Sequence, residues 1–221
     1  MGGGALEHAA LTSAAAPSGA RPRIGMMGGT FDPIHVGHLA IADDVREALD
    51  LEKILFIPAG APPHKQASTV TAVEHRVAMV EAAIEDNEGF ELSRIEVDRP
   101  GPSYTVDTVE QLSASFAVTV ILSVETFLEL PTWHAPDRLF AAARVAVVPR
   151  EGYAAPDPAW LAQTFPGRED RVRYVEAPHL GVSSTGIRAR IAAGRTIRYL
   201  VPPAVASYIA AHGLYQETAA T

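Results

Sequence analysis

An α/β fold on a parallel, doubly wound sheet is predicted by three observations. Short apolar runs alternate with stretches of helical periodicity along most of the 221 residues. The runs are apolar nearly throughout, as strands buried on both faces are. A glycine turn joins the first run to a helix, the junction where such sheets hold their ligands. Right-handed crossovers make this a Rossmann-like, three-layer α/β/α arrangement.

The strands are expected at residues 24–27, 53–57, 90–92, 95–97, 118–122, 145–148 and 172–175, bounded by Gly, Pro, Asp or Asn. Helices are expected at 36–49, 71–84, 105–112, 136–143, 157–164 and 186–193, several opened by Thr, Asp or Pro in the first turn. A last helix starts at Pro202-Pro203 and ends near His212-Gly213. Residues 1–22 are rich in Ala, Gly, Ser and Pro without periodicity and read as a flexible extension. Residues 23–215 read as one domain, and 216–221 as a short tail.

Composition narrows the function. A net charge of −8 with no basic stripe argues against nucleic acid as a partner. A few local cations still suffice to bind a nucleotide. No cysteine is present, so a disulfide framework, a thiol nucleophile and a thiolate metal site are excluded. The start of the chain lacks the basic and apolar regions of a signal peptide, and no apolar run approaches the ~20 residues needed to span a bilayer. No membrane partner and a cytoplasmic location are expected. Oligomeric state carries no sequence signal.

The most informative segment is Gly28-Gly29-Thr30-Phe31-Asp32-Pro33-Ile34-His35-Val36-Gly37-His38. Glycine amides at a strand-to-helix junction can approach an anion, and the helix N-terminus supports negative charge. His35 and His38, three apart, share a face of the first turn and read as donors to phosphoryl oxygens. Zinc would need a third ligand that neither cysteine nor Asp43 and Asp44 supplies, and no protein metal ligand is assigned. A purely structural turn with two capping histidines explains the glycines but not the whole eleven-residue pattern.

A second junction, Pro58-Ala59-Gly60-Ala61-Pro62-Pro63-His64-Lys65, presents His64 and Lys65 on a proline-stiffened loop. Arg76, on the helix that follows, is read either as a ligand contact or as one half of a surface ion pair. Near the other end, Ser183-Ser184-Thr185-Gly186-Ile187-Arg188 opens a helix whose amides and hydroxyls could hold a polyphosphate, with Arg188 forking onto two oxygens. Serine and threonine are also ordinary caps there. Two phosphate-directed motifs on one sheet suit phosphoryl or nucleotidyl transfer, which depends on positioning and charge neutralisation and needs no protein nucleophile. There is no P-loop.

These residues carry a resemblance. His35-Val36-Gly37-His38 resembles the His-x-Gly-His signature of the nucleotidyltransferase superfamily, and the longer run from Gly28 is similar to that of nicotinate-nucleotide adenylyltransferases. Pro63-His64-Lys65, Glu74-His75-Arg76, Val182-Ser183-Ser184-Thr185 and Gly213-Leu214-Tyr215 fit the same family. The resemblance implies transfer of AMP from ATP to nicotinate mononucleotide, giving deamido-NAD and pyrophosphate. His35 and His38 would stabilise the α-phosphate, and amides of Gly28, Gly29, Thr30 and Phe31 would cradle phosphate. Lys65 and Arg188 would hold the departing pyrophosphate, with His64, Ser183, Ser184 and Thr185 beside the ATP. Mg²⁺ would arrive with ATP.

By the same resemblance Ser103, Tyr104 and Thr105 present a backbone amide to the nicotinate carboxylate, while Trp133, followed by His134, stacks on the pyridine ring. One place departs from the pattern. The family's Gly-x-Asp is here Ser123-Val124-Glu125, after a connection that looks a few residues short, so Glu125 takes the position associated with the ATP ribose. Alternatives are a nicotinamide mononucleotide or phosphopantetheine acceptor, or a nucleotide-binding module without turnover.

Overall fold

The computed structural model describes residues 21–60, 70–178 and 180–216. One six-stranded sheet of parallel strands runs through them, in the order β3-β2-β1-β4-β5-β6. The strands are β1 (Arg23–Gly29), β2 (Lys53–Pro58), β3 (Phe90–Leu92), β4 (Ala117–Ser123), β5 (Ala143–Val148) and β6 (Val172–Tyr174). The helices are α1 (Val36–Ala48), α2 (Val73–Ile84), α3 (Thr105–Ser113), α4 (Val124–Glu129), α5 (Pro136–Ala142), α6 (Pro158–Thr164), α7 (Ser184–Ala192) and α8 (Pro203–Ala211). Among the described residues no helix is long and apolar enough to cross a membrane.

Alternation along the strands divides the core into two layers. Leu55 and Ile57 of β2, Val118, Val120 and Leu122 of β4, and Val145 and Val147 of β5 pack with α3 to α6. Ile54 and Phe56, Ile121, and Ala146 and Val148 face the other way, toward α1, α2, α7 and α8. The strand order reverses at β1, which pairs with β2 on one side and β4 on the other. A ligand crevice opens at the carboxyl ends of these strands.

Two elements differ from expectation. Residues 95–97 form a turn and not a strand, closed by the Asp98 amide on the Arg94 carbonyl at 2.9 Å. Only Ser93 and Arg94 separate them from β3, whereas a parallel neighbour needs a crossover of about a dozen residues or more. The six-residue α4 was not foreseen, being too short to show a period. Its signal is Ser123, whose Oγ accepts the Thr126 amide as an N-cap.

Arg76 is neither a ligand contact nor a surface ion pair. It is 1 % exposed, and its guanidinium donates to the carbonyls of Thr71 at 3.0 Å, Thr30 at 2.7 Å and Ala59 at 2.8 Å. Glu74 instead pairs with Arg94. One buried cation therefore joins the segments after β1 and β2 to the start of α2. Burial disfavours its charge, and the Asp32 carboxylate supports it. Asp32 in turn accepts the Tyr215 hydroxyl at 2.7 Å and the Thr71 amide at 3.2 Å.

Each carbonyl left unpaired in the interior costs about 1–3 kcal/mol. Arg76→Met should therefore lower the unfolding free energy by at least ~3 kcal/mol, with Arg76→Lys between it and wild type. Urea denaturation checks this, and a loss below ~1 kcal/mol in the Met variant would contradict the role assigned to Arg76.

Candidate active site

The crevice is a cleft of ≈ 1260 Å³. Its wall contains Gly28, Gly29, Thr30, Phe31, His35, His38, Ser103, Tyr104, Thr105, Glu125, Trp133, His134, Ser183, Ser184, Thr185 and Arg188. Sequence positions up to 160 apart thus meet in one place. His64 and Lys65 lie outside the described residues.

Local chemistry explains the arrangement at α1. His35 is the N-cap residue, extended at φ −147°, and its amide donates to His38 Nδ1 at 3.2 Å. An accepting Nδ1 puts the His38 proton on Nε2. The two rings stack with centroids 3.7 Å apart. Gly37 permits this, because a Cβ there would stand 3.1 Å from His35 Nδ1. Phe31 abuts His38 edge-on and packs on Phe56, burial that holds its backbone in the left-handed region at φ 49°. The Val36 amide is taken by the Leu200 carbonyl, so one of the free amides expected at this helix end is already paired.

Both imidazoles are held neutral. Burial, then the Arg150 charge, lowers His35 from 6.5 to about 4. Burial, then His35, then Arg150, holds His38 well below 6.5. A neutral imidazole still carries one N–H and remains a hydrogen-bond donor, and anionic oxygens would favour its protonation.

At the start of α7, Ser183 caps the helix by accepting the Gly186 amide, and Ser184 donates to the Pro33 carbonyl at 2.9 Å. The Ser184 hydroxyl joins α7 to the histidine loop. Arg188 donates to the Asp32 carbonyl at 2.7 Å and lies 3.4 Å from Thr185 Oγ1. At the far end Tyr104 and His134 pair their rings at 4.7 Å, with Trp133 beside them in the wall.

Sequence reasoning missed Arg150. It follows β5 at the carboxyl end of the sheet, where position alone marks a ligand-facing residue, but no motif in the sequence surrounds it. Its Nε is 3.2 Å from Glu125 Oε2, and Tyr153 donates to Glu125 Oε1 at 3.2 Å. The extra methylene of Glu125 is spent on reaching this turn.

The histidines tie stability to pH. The unfolded chain protonates His35 below about 6.5, while the folded chain does so only near 4, so stability is complete above 6.5 and falls as the pH drops between the two. The size is about 3 kcal/mol, with His38 acting in the same direction. Urea denaturation between the two limits should show this loss in wild type and a smaller one in His35→Gln. Equal slopes would contradict a neutral, buried His35.

A cytidylyltransferase-like family model matches residues 26–190. The chain is 49 % identical over 195 residues to the probable nicotinate-nucleotide adenylyltransferase of Roseiflexus sp. (strain RS-1), covering 87 % of this chain and 98 % of that protein. It is 42 % identical over 197 residues to the like-named protein of Thermomicrobium roseum, covering 88 % and 92 %. Among solved structures, Plasmodium falciparum nicotinic acid mononucleotide adenylyltransferase complexed with NaAD superposes with a TM-score of 0.70 at 19 % identity, covering 88 % of this chain and 97 % of that one. The fold is shared, and the sequence matches span nearly the whole length of both relatives: the chain belongs to the cytidylyltransferase-like family, among its nicotinate-nucleotide adenylyltransferases.

Proposed function

We propose that the protein transfers AMP from ATP to nicotinate mononucleotide. The 5′-phosphate oxygen attacks the α-phosphorus, the bond to the β-phosphate oxygen breaks with its electron pair leaving on pyrophosphate, and deamido-NAD is formed. The observation that carries this reading is the stacked His35–His38 pair at the N-terminus of α1, facing Arg188 and the start of α7 across the switch-point cleft. Family membership supports the same chemistry.

His38 Nε2–H and the His35 ring donate to α-phosphate oxygens as charge grows there, and being preorganised they need no rearrangement. Amides of Gly28 to Phe31 cradle phosphate. Arg188, Lys65 and the first-turn amides of α7 receive the pyrophosphate, with His64 beside it. Arg150 adds a further cation at the phosphates. Glu125 accepts from the ATP ribose. Trp133 offers a flat face to the pyridine ring, and the N-terminus of α3 at Thr105 receives its carboxylate, with Ser103, Tyr104 and His134 around it. A divalent ion such as Mg²⁺ would come bound to ATP, where it would offset phosphate charge, held chiefly by phosphates and water and assigned no protein ligand. Among the described residues no three carboxylate or imidazole groups converge for it.

Pyrophosphate release with ATP and each mononucleotide tests the reaction. Release with nicotinate mononucleotide, and less with its amide, is expected. ATP binding without release would favour a nucleotide-binding module. His35→Ala or His38→Ala should lower kcat about a hundredfold or more with a smaller change in KM. Wild-type turnover in either would remove the histidines from the chemistry.

The ribose role of Glu125 has its own check. Wild type should bind 2′-deoxy-ATP about tenfold more weakly than ATP, and Glu125→Ala should bind both alike, since a hydrogen bond to a charged acceptor is worth about 1.5–3 kcal/mol. If wild type does not distinguish the nucleotides, Glu125 serves only to hold Arg150 and Tyr153.

A further inference from the structure

Of two polar groups at the acceptor end of the cleft, Glu96 has no part in the reaction just described and Ser103 only a place beside the acceptor carboxylate. Glu96 lines the cleft although it is only 5 % exposed, and Thr108 of α3 donates to its Oε1 at 2.9 Å. Ser103, 8 % exposed and in the same wall, has a buried Oγ with no hydrogen-bond partner among the described residues. A buried hydroxyl left unpaired in a cleft wall marks a place where a ligand supplies the missing bond. Gly60 lets the turn carrying Glu96 pack closely against the end of β2, because any Cβ there would collide with the Glu96 carbonyl oxygen. Arg99 donates to Thr108 Oγ1 at 2.9 Å and to Gln111 Oε1 at 2.9 Å, so the carboxyl is fixed to α3 as well. The helix whose first residue is Thr105 and the turn carrying Glu96 are therefore linked by hydrogen bonds through Thr108.

We propose that Glu96 makes acceptor choice depend on pH: with a proton on its carboxyl it tolerates a pyridine carboxylate at this end of the cleft, and without one it repels it. The inference rests on the adenylyltransferase reading and adds a specificity residue to it. Two carboxylates sharing a confined site cannot both ionise freely, so binding of the acid takes up a proton. A neutral carboxamide imposes no such demand. Burial raises the Glu96 carboxyl above its usual range, and the Thr108 hydrogen bond and the Arg99 charge oppose that only in part. The charged and titratable groups facing it are Arg99 before α3 and, at the same end of the cleft, Tyr104 and His134. A charge on His134 or Tyr104 would also distinguish the acid from the neutral amide, so the comparison of wild type with Glu96→Gln, made for both acceptors, isolates Glu96.

The experiment measures KM for nicotinate and nicotinamide mononucleotides between about pH 5 and 9, by pyrophosphate release, in wild type and Glu96→Gln. In wild type, KM for the acid should climb with pH, approaching about tenfold per unit above the Glu96 titration, while KM for the amide stays level. Glu96→Gln should keep kcat and lose the climb. Calorimetry of wild type in buffers of different ionisation enthalpy gives a second reading that needs no variant: the acid should bind with up to one more proton taken up than the amide. Equal proton uptake for both acceptors, or an unchanged climb in Glu96→Gln, overturns the proposal while leaving the adenylyltransferase reading intact. No pyrophosphate release from wild type with either acceptor overturns both.

Discussion

The buried pairing of Arg76 with the segment around Asp32 is the constraint on which the site depends. A guanidinium taken from water loses hydration that only close, well-aligned partners can replace. Three backbone carbonyls, from Thr30, Ala59 and Thr71, supply those partners. The segments after β1 and β2 and the start of α2 thereby hold a fixed separation. Asp32 extends the constraint, since its side chain takes Tyr215 and Thr71 and its carbonyl takes Arg188. The chain's C-terminal portion and α7 are thus anchored to the residues that lead into His35.

That anchoring gives the histidines their chemistry. With the loop tied down, α1 begins at a defined place and its first turn can bury two stacked imidazoles, a position that disfavours their protonation. The opposite wall repeats the device at smaller scale: the hydroxyls of Ser183 and Ser184 are used to fix α7 to Pro33 and to its own first turn. Side chains are spent on geometry, and donors are left facing the cleft. Glu125 and Arg150 behave differently. Their pair is half exposed, so its net strength is small and a polyphosphate can compete for the cation.

Much of this was legible in the sequence because it is local. Strands buried on both faces show as continuous apolar runs, and the strand-turn-helix of residues 24 to 48 carries its glycines and histidines within one short segment. The cleft residues from Ser183 to Arg188 likewise announce themselves by a helix start, while Ser103 to Thr105 were marked only by the family resemblance. What escaped depends on distance. Arg76 looks like any helical arginine until the segments after β1 and β2 fold over it, and Tyr215 meets Asp32 across 183 positions. Residues 95–97 alternate like a strand because Glu96 is buried for a polar reason that periodicity cannot express. Arg150 had no neighbours in sequence to mark it, only a place at the end of β5 that exists once the sheet is assembled.

The central claim, that a fixed loop presents two neutral imidazoles to the α-phosphate, is tested most directly by ¹⁵N NMR of histidine-labelled protein near neutral pH, with and without a non-hydrolysable ATP analogue. The account predicts a neutral His38 with its proton on Nε2 in the free protein, and nucleotide-dependent shifts at His35 and His38 but not at His75 and His212 on α2 and after α8. An imidazolium or an Nδ1-protonated His38 in the free protein, or rings unmoved by the nucleotide, would contradict it.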